Sequence, residues 1–241
     1  MIKTNIFNNY FKYSKDIFTS ILFITPLLIL YELLAYFIFN DSPFIIRNSA
    51  DVAIKNLFKY LGLESDLLHF LIFISIFFIY FIYNYKNYNK YVFRIKYFLF
   101  MYIEGIILGF FLLIILNGYN SLYLFSFNYY DNYYIYFYYC LGAGIWEEIL
   151  FRFIIFTFIY YLFKKITTIN ISAFISISIS SILFSLIHYI GPYADIFSVY
   201  TFIIRFVGGV VLCLIYIKRG LGISCMTHYS YDVLLLTLPL I

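Results

Sequence analysis

The sequence predicts an all-α membrane protein, a polytopic bundle of transmembrane helices. Of its 241 residues, 64% are hydrophobic and only 12% are charged, whereas soluble domains carry about a quarter charged residues. The chain contains repeated apolar runs of about 18 residues or more, long enough to cross a bilayer as helices. These runs do not alternate apolar and polar residues as the strands of a membrane barrel would. The composition therefore excludes a soluble globular protein.

Seven apolar runs are predicted to cross the membrane as helices. The first contains Pro26 and Glu32 and is too long for a cleaved secretory signal, so we expect it to be retained. The predicted spans are residues 17–39, 68–85, 97–116, 134–163, 170–190, 199–217 and 222–241. No tandem repeat, soluble domain or flexible linker is evident between them.

The polar connections between the runs predict the orientation of the chain. The longest connection, residues 40–67, is expected to contain a short interfacial helix, because apolar and charged residues alternate within it. Connections on the side of the N-terminus are rich in Lys and Arg, including Lys86, Lys90, Arg94 and Lys96, whereas those on the opposite side are net acidic. The positive-inside rule therefore predicts a cytoplasmic N-terminus in an integral, multi-pass membrane protein.

Two adjacent carboxylates and an arginine lie inside the fourth predicted span, among Ile, Leu and Phe. A charge inside a bilayer costs several kcal/mol, so such residues indicate a functional site by default. On a helix, Glu148 and Arg152 are four residues apart and face the same side, where they can pair. Glu147 lies about 100° around the helix and has no local cation. A purely structural ion pair would explain Glu148 and Arg152 but not Glu147.

Two of the three histidines lie in later predicted spans. His188 follows Phe184 by one helical turn, and His228 and Asp232 are four residues apart on one helix face. A single histidine in a membrane helix is more often a hydrogen-bonded packing residue than a catalyst. Two histidines together with an aspartate and an unpaired glutamate instead favour a base-activated water, with or without a bound metal.

These residues form three motifs, each in its own predicted span. The motifs read Glu147-Glu148-Ile-Leu-Phe-Arg152, Phe184-Ser-Leu-Ile-His188 and His228-Tyr-Ser-Tyr-Asp232. In this order they resemble the CPBP family of intramembrane proteases, which includes the CAAX prenyl proteases and the Abi-type bacteriocin self-immunity proteins. Two positions depart from the family pattern, namely Phe153 where the family often has glycine and Asp232 where the prenyl proteases have asparagine.

The resemblance implies an intramembrane endopeptidase. Residues 134–241 would form its catalytic core, and residues 1–133 an N-terminal region of about three spans plus the interfacial helix, within a single structural domain. The substrate would be a membrane-embedded or lipid-anchored protein or peptide, with CAAX processing included. The lipid bilayer would be the other partner, and no nucleic acid is expected. For a bacterial chain the location would be the plasma membrane.

The resemblance also implies a role for each motif residue. Glu147, helped by His188, would activate a water molecule for attack on a peptide carbonyl. His228 and Asp232 would face the tetrahedral intermediate and stabilise its oxyanion. An ionised Asp232 would repel that oxyanion, so it must be protonated or must instead orient His228. The ion pair of the first motif would be structural and would fix its helix.

Cofactor use and enzyme class each have an alternative. No cofactor is expected, since the sequence lacks the HExxH spacing of zinc proteases. Zinc would need three protein ligands, which Glu147, His188 and His228 could supply, so a zinc-dependent protease of the same family is the alternative. The competing class is a non-enzymatic transporter or scaffold, but the sequence has no evident inverted repeats. A role in bacteriocin self-immunity also stays open.

A shared site sets one geometric condition. At about 1.5 Å per residue, Glu147 and His188 lie roughly 24 to 27 Å from the cytoplasmic ends of their helices, and His228 only about 9 Å from the start of its own. We therefore expect that the turn at residues 218–222 reaches into the bilayer, or that the last helix is tilted or broken.

Overall fold

The computed structural model describes residues 6–40, 45–62, 82, 95–116, 133–191 and 194–237. Most of these residues are helical, and no strand occurs among them. The all-α class predicted from the sequence is therefore confirmed.

The helices follow one another with few residues between them. They are α1 (Ile6–Lys15), α2 (Ile17–Phe39), α3 (Ser49–Tyr60), α4 (Ile95–Leu116), α5 (Tyr133–Gly142), two π-helical segments (Ala143–Glu147 and Ile149–Phe156), α6 (Thr157–Phe163), α7 (Ile169–Ile187), α8 (Val199–Arg219) and α9 (Leu221–Thr237). Four helices, α2, α4, α7 and α8, are long and apolar enough to cross a membrane. The seven-span count and the orientation stay predictions, and the predicted second span lies outside the described residues apart from Ile82.

The N-terminal helix α1, which the sequence analysis did not predict, is tied to the bundle by a polar cluster. Glu104 on α4 accepts hydrogen bonds from Nε and Nη2 of Arg219 at 2.5 and 2.7 Å, and from Tyr10 Oη on α1 at 2.5 Å. The Arg219 guanidinium also lies 4.3 Å from the ring centre of Phe11. We call this group the Glu104 cluster. It joins α1, α4 and the end of α8.

The last helix, α9, is the centre of the bundle. All of its residues from Leu221 to His228 are buried. It packs closely against α4 and against the first π-helical segment, because both present glycine to it. A Cβ atom on Gly109 would lie 2.7 Å from Cβ of Ser230, and one on Gly144 would lie 2.7 Å from Cβ of Tyr229. The small residues thus let the backbones approach each other.

The turn that leads into α9 is also enclosed. Gly220 has a φ of +89°, a conformation that favours glycine. A Cβ atom there would lie 3.0 Å from both Cα of Lys15 and the backbone oxygen of Ser14. The turn at residues 218–222 is therefore covered by the junction of α1 and α2. Its depth in a bilayer stays a prediction.

The polar connection between the first two predicted spans contains the helix α3. Asn48 is its N-cap, and its side chain accepts a hydrogen bond from the backbone N–H of Ala50. Ala50, Asp51 and Ile54 are buried and face the bundle. The helix contacts the first π-helical segment, so this connection packs onto the part of the chain that carries Glu147.

Candidate active site

Residues 133–163 carry the first motif through two π-helical segments. The first segment ends at Glu147 and the second, Ile149–Phe156, contains Arg152. Short π-helical turns inside α-helices occur frequently at functional sites. On the neighbouring helix α7, Ser180 donates a hydrogen bond to the backbone oxygen of Phe151 at 2.7 Å. We call the helical stretch of residues 133–163 the motif helix. The contact fixes α7, which ends beside His188, against it.

Glu148 is fully buried and both of its oxygens are engaged. Its Oε1 lies 2.9 Å from Nη1 of Arg152 and 2.9 Å from Nδ1 of His228. Its Oε2 accepts a hydrogen bond of 2.5 Å from Oγ of Ser224. The predicted pairing of Glu148 with Arg152 is thus present, and the structure adds two partners from α9 that lie far away in the sequence.

Arg152 is fully buried as well. Its guanidinium carbon lies 4.3 Å from the ring centre of Phe184, a cation–π contact. The same ring makes edge contacts with both imidazoles, at 5.4 Å from His188 and 5.7 Å from His228. Phe184, the first residue of the second motif, therefore packs against the arginine and both histidines.

His228 connects the three acidic side chains of the site. Its Nδ1 contacts Glu148, and its Nε2 lies 4.0 Å from Oε2 of Glu147 and 3.7 Å from Oδ2 of Asp232. An ionised carboxylate only accepts hydrogen bonds, so the contact with Glu148 places a proton on Nδ1. The other nitrogen, Nε2, then faces Glu147 and Asp232. The structure thus brings Glu147, Glu148, His228 and Asp232 together.

Glu147 differs from its neighbour because only one of its oxygens is bound. Oε1 accepts a hydrogen bond of 2.8 Å from Nδ2 of Asn48. Oε2 is buried and has no hydrogen-bond partner among the described residues. A buried polar atom without a partner is uncommon in proteins and calls for an explanation. Here the unpartnered atom is also the one that faces His228.

His188 lies at the end of α7, where its Nδ1 is 2.9 Å from the backbone oxygen of Phe184. A carbonyl oxygen only accepts, so Nδ1 carries the proton of a neutral ring and Nε2 is left as an acceptor. His188, His228 and Asp232 line one cavity of about 80 Å³, together with Arg205 and apolar residues of α4, α8 and α9. Glu147 is not among the lining residues, but its Oε2 lies 4.0 Å from Nε2 of His228, which does line the cavity.

The fit of a zinc ion can be tested on the same residues. Zinc is held by three or four His, Cys, Asp or Glu ligands close to one point. Within the described ranges, no three such side chains are arranged so as to hold a metal ion. The predicted zinc ligands Glu147, His188 and His228 therefore do not form a ready ligand group in this conformation.

A comparison with protein-family models matches the part of the chain that holds the three motifs. Residues 130–234 match the family described as type II CAAX prenyl endopeptidase Rce1-like. The resemblance to the CAAX proteases that the three motifs indicate is therefore found by an independent comparison, over this region of the chain. No curated protein and no solved structure gives a match.

The match agrees with the four apolar helices, and the chain is an integral membrane protein. The match contains every residue of the three motifs. It begins after α4, so the CAAX protease match does not include α1 to α4. The contact between Asn48 and Glu147 therefore joins the matched region to a part of the chain outside it.

Sequence reasoning missed two residues that contact the carboxylates of this site. Ser224 lies four residues before His228, on the same face of α9, so helical spacing could have identified it. Asn48 carried a weaker signal, as a capping residue directly before a helix in a polar connection. Its contact with Glu147 spans 99 positions, and no local pattern predicts such a contact.

Proposed function

We propose that this protein is an intramembrane endopeptidase that hydrolyses a peptide bond of a membrane-associated protein or peptide through a water molecule activated by Glu147. The observation that carries the proposal is the buried, unpartnered Oε2 of Glu147, which faces Nε2 of His228 at 4.0 Å. A base needs a free oxygen directed toward the reacting atoms. Glu148 has none, because both of its oxygens are engaged.

In the proposed reaction, Oε2 of Glu147 accepts a proton from water while the water oxygen attacks the carbonyl carbon of the substrate. The free Nε2 of His188 accepts the second hydrogen of the water and orients it. The carbonyl electrons move onto oxygen and form the tetrahedral intermediate. When the C–N bond breaks, Glu147 returns its proton to the leaving nitrogen. The products are an amine and a carboxylic acid, which then loses its proton to water.

His228 is the proposed donor to the oxyanion. A protonated imidazole donates from both nitrogens, so Nδ1 would stay bound to Glu148 while Nε2 stabilises the negative charge. Oδ2 of Asp232 lies 3.7 Å from Nε2 of His228. This distance supports the second of the two roles predicted for Asp232, in which it orients His228 and balances its charge. Arg152 holds Glu148 in place.

The family suggests a probe substrate, a fluorogenic prenylated peptide with a CAAX sequence at its C-terminus. Glu147→Gln keeps the acceptor for Asn48 but removes the base, so we expect a loss of about 10²- to 10⁴-fold in kcat with unchanged thermal stability. The matched control is Glu104→Gln, which alters another glutamate of the helix bundle outside the site. Cleavage by purified Glu147→Gln at the wild-type rate would overturn the assignment of Glu147 as the base.

A further inference from the structure

Asn48 is the one described residue outside the matched region 130–234 whose side chain is hydrogen-bonded to Glu147. It lies directly before α3, in the connection that the sequence predicts to be interfacial. Its Nδ2 donates to Oε1 of Glu147 at 2.8 Å, a good distance for a hydrogen bond to a carboxylate. The N-terminal part of the chain thus contacts the proposed base directly.

The orientation of the Asn48 amide is determined by two partners that agree. Its Oδ1 accepts the backbone N–H of Ala50 at 2.9 Å, as an N-cap does. With the oxygen used in this way, the NH₂ group points to the other side, where Oε1 of Glu147 is an acceptor. A flipped amide would lose both hydrogen bonds, since it would place a donor against the N–H and an acceptor against the carboxylate.

The segment that carries Asn48 is held on α2 by its neighbours. Arg47 makes two hydrogen bonds of 2.8 Å to the carboxylate of Glu32 on α2, and contacts Asp51 on α3 at 3.1 Å. The backbone N–H of Asn48 donates to Oη of Tyr31, also on α2, at 3.4 Å. A bidentate arginine–carboxylate pair fixes both distance and orientation, so the position of Asn48 relative to α2 is well defined.

The motif helix approaches Asn48 as closely as the side chains allow. A Cβ atom on Gly142 would lie 3.1 Å from Cβ of Asn48 and 3.0 Å from the ring of Tyr31. Tyr138 on α5 stacks on Tyr31 with ring centres 4.6 Å apart and donates to the backbone oxygen of Ile46 at 2.9 Å. The residues before α3 are thus fixed against α5 as well as α2.

We propose that Asn48 is a positioning residue for Glu147, so that the region outside the family match completes the active site. By occupying Oε1, Asn48 sets the rotation of the carboxylate and directs Oε2 toward His228. As a donor that carries no charge, it binds the carboxylate without neutralising it. This inference rests on the proposed function for its catalytic consequence, but the hydrogen bond can be tested without catalysis.

Several charged groups face Glu147 and bear on any pH dependence. They are His188 at the end of α7, His228 and Asp232 on α9, Glu148 and Arg152 on the motif helix, and, behind Asn48, Arg47 and Asp51. A change at Asn48 leaves all of them in place. A shift of the acid limb of the pH–rate profile caused by that change therefore reports on the Asn48–Glu147 contact.

Two substitutions separate positioning from helix capping. Asn48→Asp and Asn48→Ser both keep a good N-cap for α3, but neither donates from the position of Nδ2 to an ionised Glu147. With Asp, a second carboxylate lies next to Oε1 and disfavours ionisation of the base. We expect the acid limb of the kcat–pH profile to move to higher pH by about one unit or more. At pH values below that limb, kcat is then about tenfold lower than in the wild type. With Ser, we expect a smaller loss of kcat with little change in KM.

A capping role alone predicts that both variants behave as the wild type in kcat, in KM and in the acid limb, and that result would overturn the proposal. An independent readout is the infrared band of the protonated Glu147 carboxyl group, identified by its loss in Glu147→Gln. In Asn48→Asp the band should persist to higher pH than in the wild type. If the protein does not cleave the peptide but the band shifts as expected, the proposed function fails and the positioning contact stands. An unshifted band overturns the contact.

Discussion

The Glu104 cluster and the Glu147 site both place a glutamate beside basic and polar groups inside the bundle, but they differ in how fully the carboxylate is bound. Both oxygens of Glu104 accept strong hydrogen bonds, from Arg219 and Tyr10. Glu147 has one bound oxygen and one that is buried and unpartnered among the described residues. The comparison indicates that a carboxylate with both oxygens hydrogen-bonded holds helices together, whereas a buried carboxylate oxygen without a partner points to a catalytic role.

The same contrast occurs between two adjacent residues, since Glu148 is saturated by Arg152, Ser224 and His228. Arg152→Leu should therefore have the largest effect on stability. It leaves a buried carboxylate with reduced compensation and is expected to lower the free energy of unfolding by about 3–5 kcal/mol. Thermal and denaturant unfolding of the purified protein in detergent would measure this loss.

A double variant, Glu148→Leu with Arg152→Leu, is the control for that prediction. It removes both charges, so much of the stability should return. Cleavage should not return, because Glu148 also fixes Nδ1 of His228. Unchanged stability of the Arg152→Leu single variant would show that the pair does not stabilise the bundle.

Glu104→Gln tests the other side of the comparison. It weakens charge-assisted hydrogen bonds to a partly buried arginine, so we expect a loss of about 1–3 kcal/mol in stability. Below the unfolding temperature, the cleavage rate should remain close to that of the wild type. Asp195→Asn, at an exposed ion pair with Arg205, is a stability reference that should cost less than about 1 kcal/mol. A loss of cleavage in folded Glu104→Gln would contradict the separation of the two regions.

The smallest expected effect concerns metal removal. If Oε2 of Glu147 acts directly as the base, prolonged treatment with EDTA or phenanthroline should leave the cleavage rate unchanged. If zinc were bound instead, chelation would remove the Lewis acid and the rate would collapse. Loss of activity that stoichiometric zinc restores, with zinc found by elemental analysis, would decide for the metalloprotease. Inhibition alone would not, since chelators can also disturb solubilised helices.

The sequence by itself determined the class of the protein and the residues that matter. Long apolar runs can cross a bilayer only as helices or closed barrels, and their lack of alternation excluded the barrel. Helical spacing also predicted that Glu148 and Arg152 pair, because residues four apart on one helix are neighbours whatever the rest of the chain does. The three motifs indicated the protease family whose model residues 130–234 match. The seven spans, the orientation and the catalytic roles stay predictions.

Only the tertiary structure decided which of the two adjacent carboxylates keeps an oxygen without a hydrogen-bond partner among the described residues. Glu148 is saturated by residues of α9, and Glu147 is half-bound by Asn48, contacts that span 76 to 99 positions. Local periodicity places a side chain on a face of its own helix, but it does not specify which other helix lies against that face. Which helices pack together depends on the close backbone approach at Gly109 and Gly144 and on the ion pair between Arg47 and Glu32. Such packing is set by side-chain volume and charge from the whole chain, which no single segment contains.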